Sequence, residues 1–135
     1  MNTDFLDAHR RHLRDADFLF GASRLANADH LYGMAAECGL KRLMIEFRME
    51  TNPTSGSPKK YEDRVHADMV WMRYETYQSG HMQYGLPLDN PFRDWKAEQR
   101  YAAESHFTQT FVQPHKQAAH LINQLVEKAK KEKGW

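Results

Sequence analysis

A chain of 135 residues, 41% hydrophobic and 27% charged, can bury about two-thirds of its unfolded surface in one core, which excludes a disordered chain and predicts a single domain over 1–135. Its 19 Lys and Arg against 18 Asp and Glu leave a net charge of +1, which excludes bulk electrostatic gripping of duplex DNA and leaves room only for a local basic site. The lone Cys38 permits no intrachain disulfide and no cysteine-based zinc site, and the lack of a basic leader or of any run of ~18–20 apolar residues predicts a soluble, cytoplasmic chain with no membrane span.

Over residues 4–25, Leu6, Leu13, Ala16 and Phe20 recur at helical spacing with Arg10, Arg11, Arg14, Asp15 and Asp17 between them, which predicts an amphipathic first helix. Asn27 is the expected N-cap of a second helix over about 28–48, apolar nearly all round and therefore central. Gly33, Ala35, Ala36 and Gly39 keep that helix thin, so close approach by a neighbour must offset about 1 kcal/mol per interior glycine. Residues near 50–60 carry Pro53, Gly56 and Pro58 among small hydroxylated residues and read as a loop.

Val65, Met69, Met72 and Thr76 predict a third helix from Tyr61 to Ser79. A second loop is expected over 80–94, tied down by Tyr84, Leu86 and Phe92. Helix should resume near Trp95 and be broken or kinked at Pro114, after which Ala118, Leu121, Ile122, Leu125 and Ala129 form an apolar stripe. No segment alternates with the period of a strand. The expected fold is an all-α, up-and-down bundle of four or five helices.

Two segments resemble the HEPN family (higher eukaryotes and prokaryotes nucleotide-binding). Ala28-Asp-His-Leu-Tyr-Gly-Met-Ala-Ala-Glu-Cys-Gly-Leu-Lys41 is similar to its second-helix pattern, and Trp95-Lys-Ala-Glu-Gln-Arg-Tyr101 to the run that opens its fourth helix. The resemblance implies a helical homodimer that binds nucleotide or RNA and acts with a separate nucleotidyltransferase in a toxin-antitoxin-type pair. In part of the family an Arg-x4-6-His motif carries metal-independent ribonuclease activity, and Arg100 and His106 match that spacing. There the arginine holds the scissile phosphate and the histidine moves the proton of the ribose 2′-hydroxyl. Tyr101 departs from the small polar residue that commonly follows this arginine.

From the residues themselves, Glu37 is a carboxylate in an apolar helix and needs a partner. Lys41, four positions on in the favourable orientation, is one candidate, and Arg100 from another helix is a second; a role for Glu37, Lys41 and Tyr101 in holding a ligand is the alternative to a structural ion pair. Arg100 and His106, six positions apart, would point roughly 120° apart on one continuous helix, so converging on a substrate calls for a dimer cleft. A structural, dimeric interaction protein without catalysis remains the third reading.

The remaining signals point to ordinary surface chemistry. His9 with His12 and His115 with His120 have no acidic partner at a metal-motif spacing and read as surface histidines, so neither metal nor cofactor is expected. His66 and Asp68 read as a polar contact at the start of the third helix. Trp71, Tyr74 and Tyr77 read as packing under the second loop or across a dimer interface rather than as a base-stacking platform. No Gly-x-Ser-x-Gly or phosphate-binding glycine loop is present, which sets aside serine hydrolase and P-loop chemistry.

Overall fold

Asp4 stops the chain from entering a helix before Phe5: its backbone is extended and its carboxylate accepts the Asp7 amide at 3.0 Å. Helix α1 then runs Phe5–Gly21, and after a three-residue turn with Ser23 at φ 61° the chain reverses into α2, Leu25–Glu46. The computed structural model describes residues 1–87 and 89–135 and is an all-α bundle completed by α3, Ala67–Gln78, and α4, Gln109–Lys133. Among the described residues the only β pairing is the isolated bridge Thr51–Pro58 within the first loop. Leu88, inside the loop expected over 80–94, lies outside the described residues.

Helix α2 is the axis of the bundle and packs against α1, α3 and α4. Its small residues admit side chains that a wider helix would exclude: a β-carbon on Gly33 would lie 2.0 Å from Cε2 of Trp95, and one on Gly39 would lie 2.7 Å from both His9 and Ile122. One face meets Val70, Trp71, Tyr74, Phe92 and Ile122, and the other joins Leu13, Ala16, Val112 and Ala119 around Tyr32.

Three helix starts differ from expectation, those of α2, α3 and α4. Helix α2 begins at Leu25 with Arg24 at its N-cap, and Asn27 is inside it. Helix α3 begins at Ala67 rather than Tyr61, because Asp63 is fully buried beneath it, accepting from Nε of Arg73 at 2.6 Å and from the Tyr77 hydroxyl at 2.7 Å. On one straight helix Asp63 and Arg73 would stand ~15 Å apart, so the chain must turn first, which it does in a short 3₁₀ turn at Tyr61–Asp63.

The largest correction concerns residues 95–108. Helix does not resume near Trp95; the segment folds as two 3₁₀ turns, Ala97–Tyr101 and Glu104–His106. Trp95 and Phe107 both enter the core, and the intervening chain has to bulge over them. Helix α4 starts only where Thr108 Oγ1 accepts the Phe111 amide at 3.2 Å. It then continues unbroken through Pro114, which sits on an exposed face next to solvent.

Candidate functional site

Arg100 and Tyr101 end the first of these 3₁₀ turns and are both exposed. The guanidinium donates from Nη1 to the Ala97 carbonyl at 3.2 Å and lies 5.0 Å from the Tyr101 ring. It faces a polar hollow of about 290 Å3 lined by Arg24, Ala26, Asn27, Gln99, Ala102 and Glu104 beside Arg100 itself. The floor is the first turn of α2, where Arg24 contributes no side-chain cap and the first helical hydrogen bond runs from the Ala28 amide to the Arg24 carbonyl. The amides of residues 25–27 precede that bond, so they lack intrahelical partners. Two guanidiniums and an uncapped helix start therefore share one space, with Glu104 bringing a carboxylate to the same lining.

His106 is exposed and lies edge-on to Phe107 and Phe111, with ring centroids 5.2 and 5.0 Å away. It lines a neighbouring hollow of about 480 Å3 with Asp94, Lys96 and Glu98. Gln99 and Ala102 belong to both linings, so within one chain Arg100 and His106 stand on opposite sides of a common wall. The expected 120° divergence on a continuous helix does not describe them, because two separate turns carry them.

Glu37 pairs with Lys41, 3.1 Å from Nζ, and both side chains are less than a tenth exposed. Its other oxygen accepts Nδ1–H of His66 at 3.0 Å. Arg100 is not its partner: Arg100 lies at the N-terminal end of α2, whereas Glu37 is ten positions beyond Asn27, ~15 Å along the axis. Asp68 pairs with Lys96 at 2.9 Å, across to the segment that leads into Arg100.

Two histidines read as surface residues are buried. His9 is fully buried against α2, with Nδ1 donating to the Ala35 carbonyl at 2.7 Å and Nε2 3.0 Å from Oδ1 of Asn123. His115 lies between two carboxylates, Asp29 at 2.5 Å and Asp94 at 2.7 Å, with its ring stacked on Phe92. Asp29 also accepts from Gln99 at 2.6 Å, and its carbonyl accepts the Trp95 indole N–H at 3.0 Å. That network ties α2, α4 and the Arg100 turn together. A signal for it exists in the sequence: His115 falls in register with Val112, Ala119, Ile122 and Val126, and His9 with Leu13 and Ala16, both on buried stripes. His120 stays nearer the surface, 2.9 Å from Asp17.

The N-terminal arginines are paired on the solvated face, Arg10 with Glu127 at 2.8 Å and Arg11 with Asp7 at 3.6 Å. Trp71 and Tyr74 are fully buried, and the Tyr74 hydroxyl donates to the Tyr84 carbonyl at 2.7 Å, so neither offers a face for stacking a base. Among the described residues no group of three His, Cys, Asp or Glu side chains is placed to hold a metal ion, and no helix is long and apolar enough to cross a membrane. No protein-family model, no curated protein and no solved structure matches the chain.

Proposed function

We propose that this chain is a nucleotide- or RNA-binding module of the HEPN type that holds a phosphate in the hollow between Arg24 and Arg100. The observation that carries this reading is the meeting, in about 290 Å3, of two guanidiniums with the uncapped start of α2. Free amides at a helix N-terminus point at whatever occupies that space, and the helix dipole favours an anion there. Guanidinium adds paired, charge-assisted hydrogen bonds suited to phosphate oxygens. The family reading rests on the resemblance at Ala28–Lys41 and Trp95–Tyr101, and the homodimer and the nucleotidyltransferase partner are proposed with it.

Titration of the native protein with a nucleoside triphosphate and with a short oligoribonucleotide, by calorimetry, tests the hollow. Each charged hydrogen bond lost should cost about 1.5–3 kcal/mol, so Arg100→Ala and Arg24→Ala should each weaken binding roughly ten- to hundredfold. Both residues are exposed, and their melting temperatures should stay at the wild-type value. Unchanged affinity in both variants rejects the site. An endoribonuclease built on Arg100 and His106 is the second reading; both side chains are exposed, and their separate hollows mean that it requires a second protomer to bring them together.

A further inference from the structure

A buried chain of hydrogen bonds lies behind the wall of the Arg24–Arg100 hollow. Gln99 is on that wall, its amide nitrogen donating to Oδ2 of Asp29 at 2.6 Å and its Oε1 accepting the Lys96 amide at 3.0 Å, so a side chain that lines the hollow also shapes the turn carrying Arg100. Oδ1 of Asp29 lies 2.5 Å from Nδ1 of His115, and Nε2 of His115 lies 2.7 Å from Oδ1 of Asp94. The Asp29 carbonyl also holds the Trp95 indole, which fixes the backbone next to Asp94. Asp29 and His115 are buried, whereas the Asp94 carboxylate is half-exposed and lines the neighbouring hollow that holds His106.

The charge of this trio depends on one proton. With His115 protonated, each ring nitrogen has a carboxylate to donate to and one net negative charge is left over; without that proton there are two. The proton that remains belongs on Nδ1, because Asp29 is sealed from solvent and a lost donor there is costly. Nε2 then presents a lone pair to Asp94, two acceptors face each other, and Asp94 is the partner able to turn into solvent. Asp29 from α2 and Asp94 from the segment before the Arg100 turn are the charged groups that bear on the ring, which otherwise meets Phe92, stacked with centroids 5.2 Å apart, and Phe111, edge-on at 5.2 Å. Burial is the largest single influence and lowers the pKa, but the bonds and charges of the two carboxylates together carry it above 6.5.

We infer that His115 is a positioning residue and pH sensor for the Arg24–Arg100 hollow, which takes a nucleic-acid phosphodiester tightly when His115 is charged and weakly when it is neutral. Two effects act in the same direction. The second negative charge sits one side chain, Gln99, behind a bound anion, and at a separation of ~7–10 Å and an effective dielectric of about 20 an extra charge changes affinity about ten- to hundredfold. Release of Asp94 also loosens the segment that runs through Trp95 and Lys96 into the Arg100 turn. By linkage, a bound phosphodiester strengthens the hold of His115 on its proton by the same factor. The inference rests on the reading of the hollow as a phosphate site and adds the regulation of that site.

Its test titrates the full chain with a fluorescent 2′-O-methyl oligonucleotide, whose phosphodiesters stay ionised throughout, and follows anisotropy from about pH 6 to about pH 9 at constant ionic strength. Thermal melts at each pH show that the protein is folded. Affinity should be highest at the acid end and fall about ten- to hundredfold in a step centred above pH 6.5. In Asp94→Asn, a change at a half-exposed side chain, the step should move to lower pH, because the imidazolium loses one of its two counter-charges. His115→Gln and His115→Asn should each bind at the alkaline wild-type level at every pH; if neither folds, the displacement of the step in Asp94→Asn decides alone. A wild type whose affinity is flat across that range, or a step that stays in place in Asp94→Asn, overturns the inference and leaves the binding reading standing. A wild type that binds at no pH, or whose binding Arg24→Ala and Arg100→Ala leave unchanged, removes the binding reading and the inference with it.

Discussion

His115 and Asp29 form a buried hydrogen bond of 2.5 Å between side chains that are 1% and 0% exposed. The second ring nitrogen of His115 faces Asp94 at 2.7 Å, so each nitrogen has a carboxylate to donate to, an arrangement that favours the imidazolium. Burial is the largest single influence and opposes that charge, but the bonds and charges of Asp29 and Asp94 together outweigh it and raise the pKa above 6.5. A group whose folded pKa is raised contributes stability that is complete below its unfolded pKa and is lost as pH rises through the folded value. The melting midpoint should therefore be highest below about pH 6.5 and fall through the alkaline side, and in Asp94→Asn the fall should begin at lower pH. Thermal melts between about pH 6 and 9 measure this; a flat midpoint in the wild type rejects the imidazolium.

Glu37 and Lys41 stand in a similar relation, each the other's counter-charge inside the bundle. Glu37→Ala leaves an ammonium buried without a partner and should cost about 3–5 kcal/mol in urea denaturation. Replacing both residues with methionine removes the stranded charge and should recover most of that loss. If the double variant is as unstable as the single one, the pair is not what sets stability at this position.

Gly33 and Gly21 offer a paired measurement on the same chemistry. The β-carbon of Gly33→Ala would enter the Trp95 indole, so the variant should lose about 1–3 kcal/mol or more despite alanine's better helix propensity. Gly21, the last residue of α1, has nothing within 4 Å of the same atom, and Gly21→Ala should gain as much as about 1 kcal/mol. Opposite signs in denaturant titrations are the expected result; equal signs would contradict the seating of Trp95 on α2.

Cys38 is 5% exposed, and burial first, then the Glu37 carboxylate beside it, push its thiol up to about 12. The thiolate is the reactive form, so a disulfide reagent at about pH 8 should leave the native protein unlabelled and label it fully in denaturant. Rapid labelling without denaturant would show that the α1–α2 contact opens readily.

Helix α2 was legible because its determinants are local. Ala35, Ala36, Leu40, Leu43 and Met44 give an apolar run whichever way the helix turns, and Gly33 and Gly39 mark close approaches that the structure fills with Trp95, His9 and Ile122. The pair Glu37 and Lys41 was legible for the same reason, since four residues on one helix fix the distance between them. His66 joins that pair from 29 positions away, a distance along the chain that carries no pattern.

The sequence by itself determined an all-α chain, the order of its helices and the apolar positions of α1, α2 and α4 that face inward, because hydrophobic periodicity acts over a few residues; on α3 the expected stripe is wrong, since Met69 and Met72 are exposed and Val70, Trp71 and Tyr74 are buried in their place. Only the tertiary structure decided that residues 95–108 bulge rather than extend a helix, since that follows from seating Trp95 on Gly33 and Phe107 in the core. It also decided which charges meet. Asp29, Asp94 and His115 come from three separate segments, and electrostatic contact depends on distance in space, which spacing along the chain does not encode.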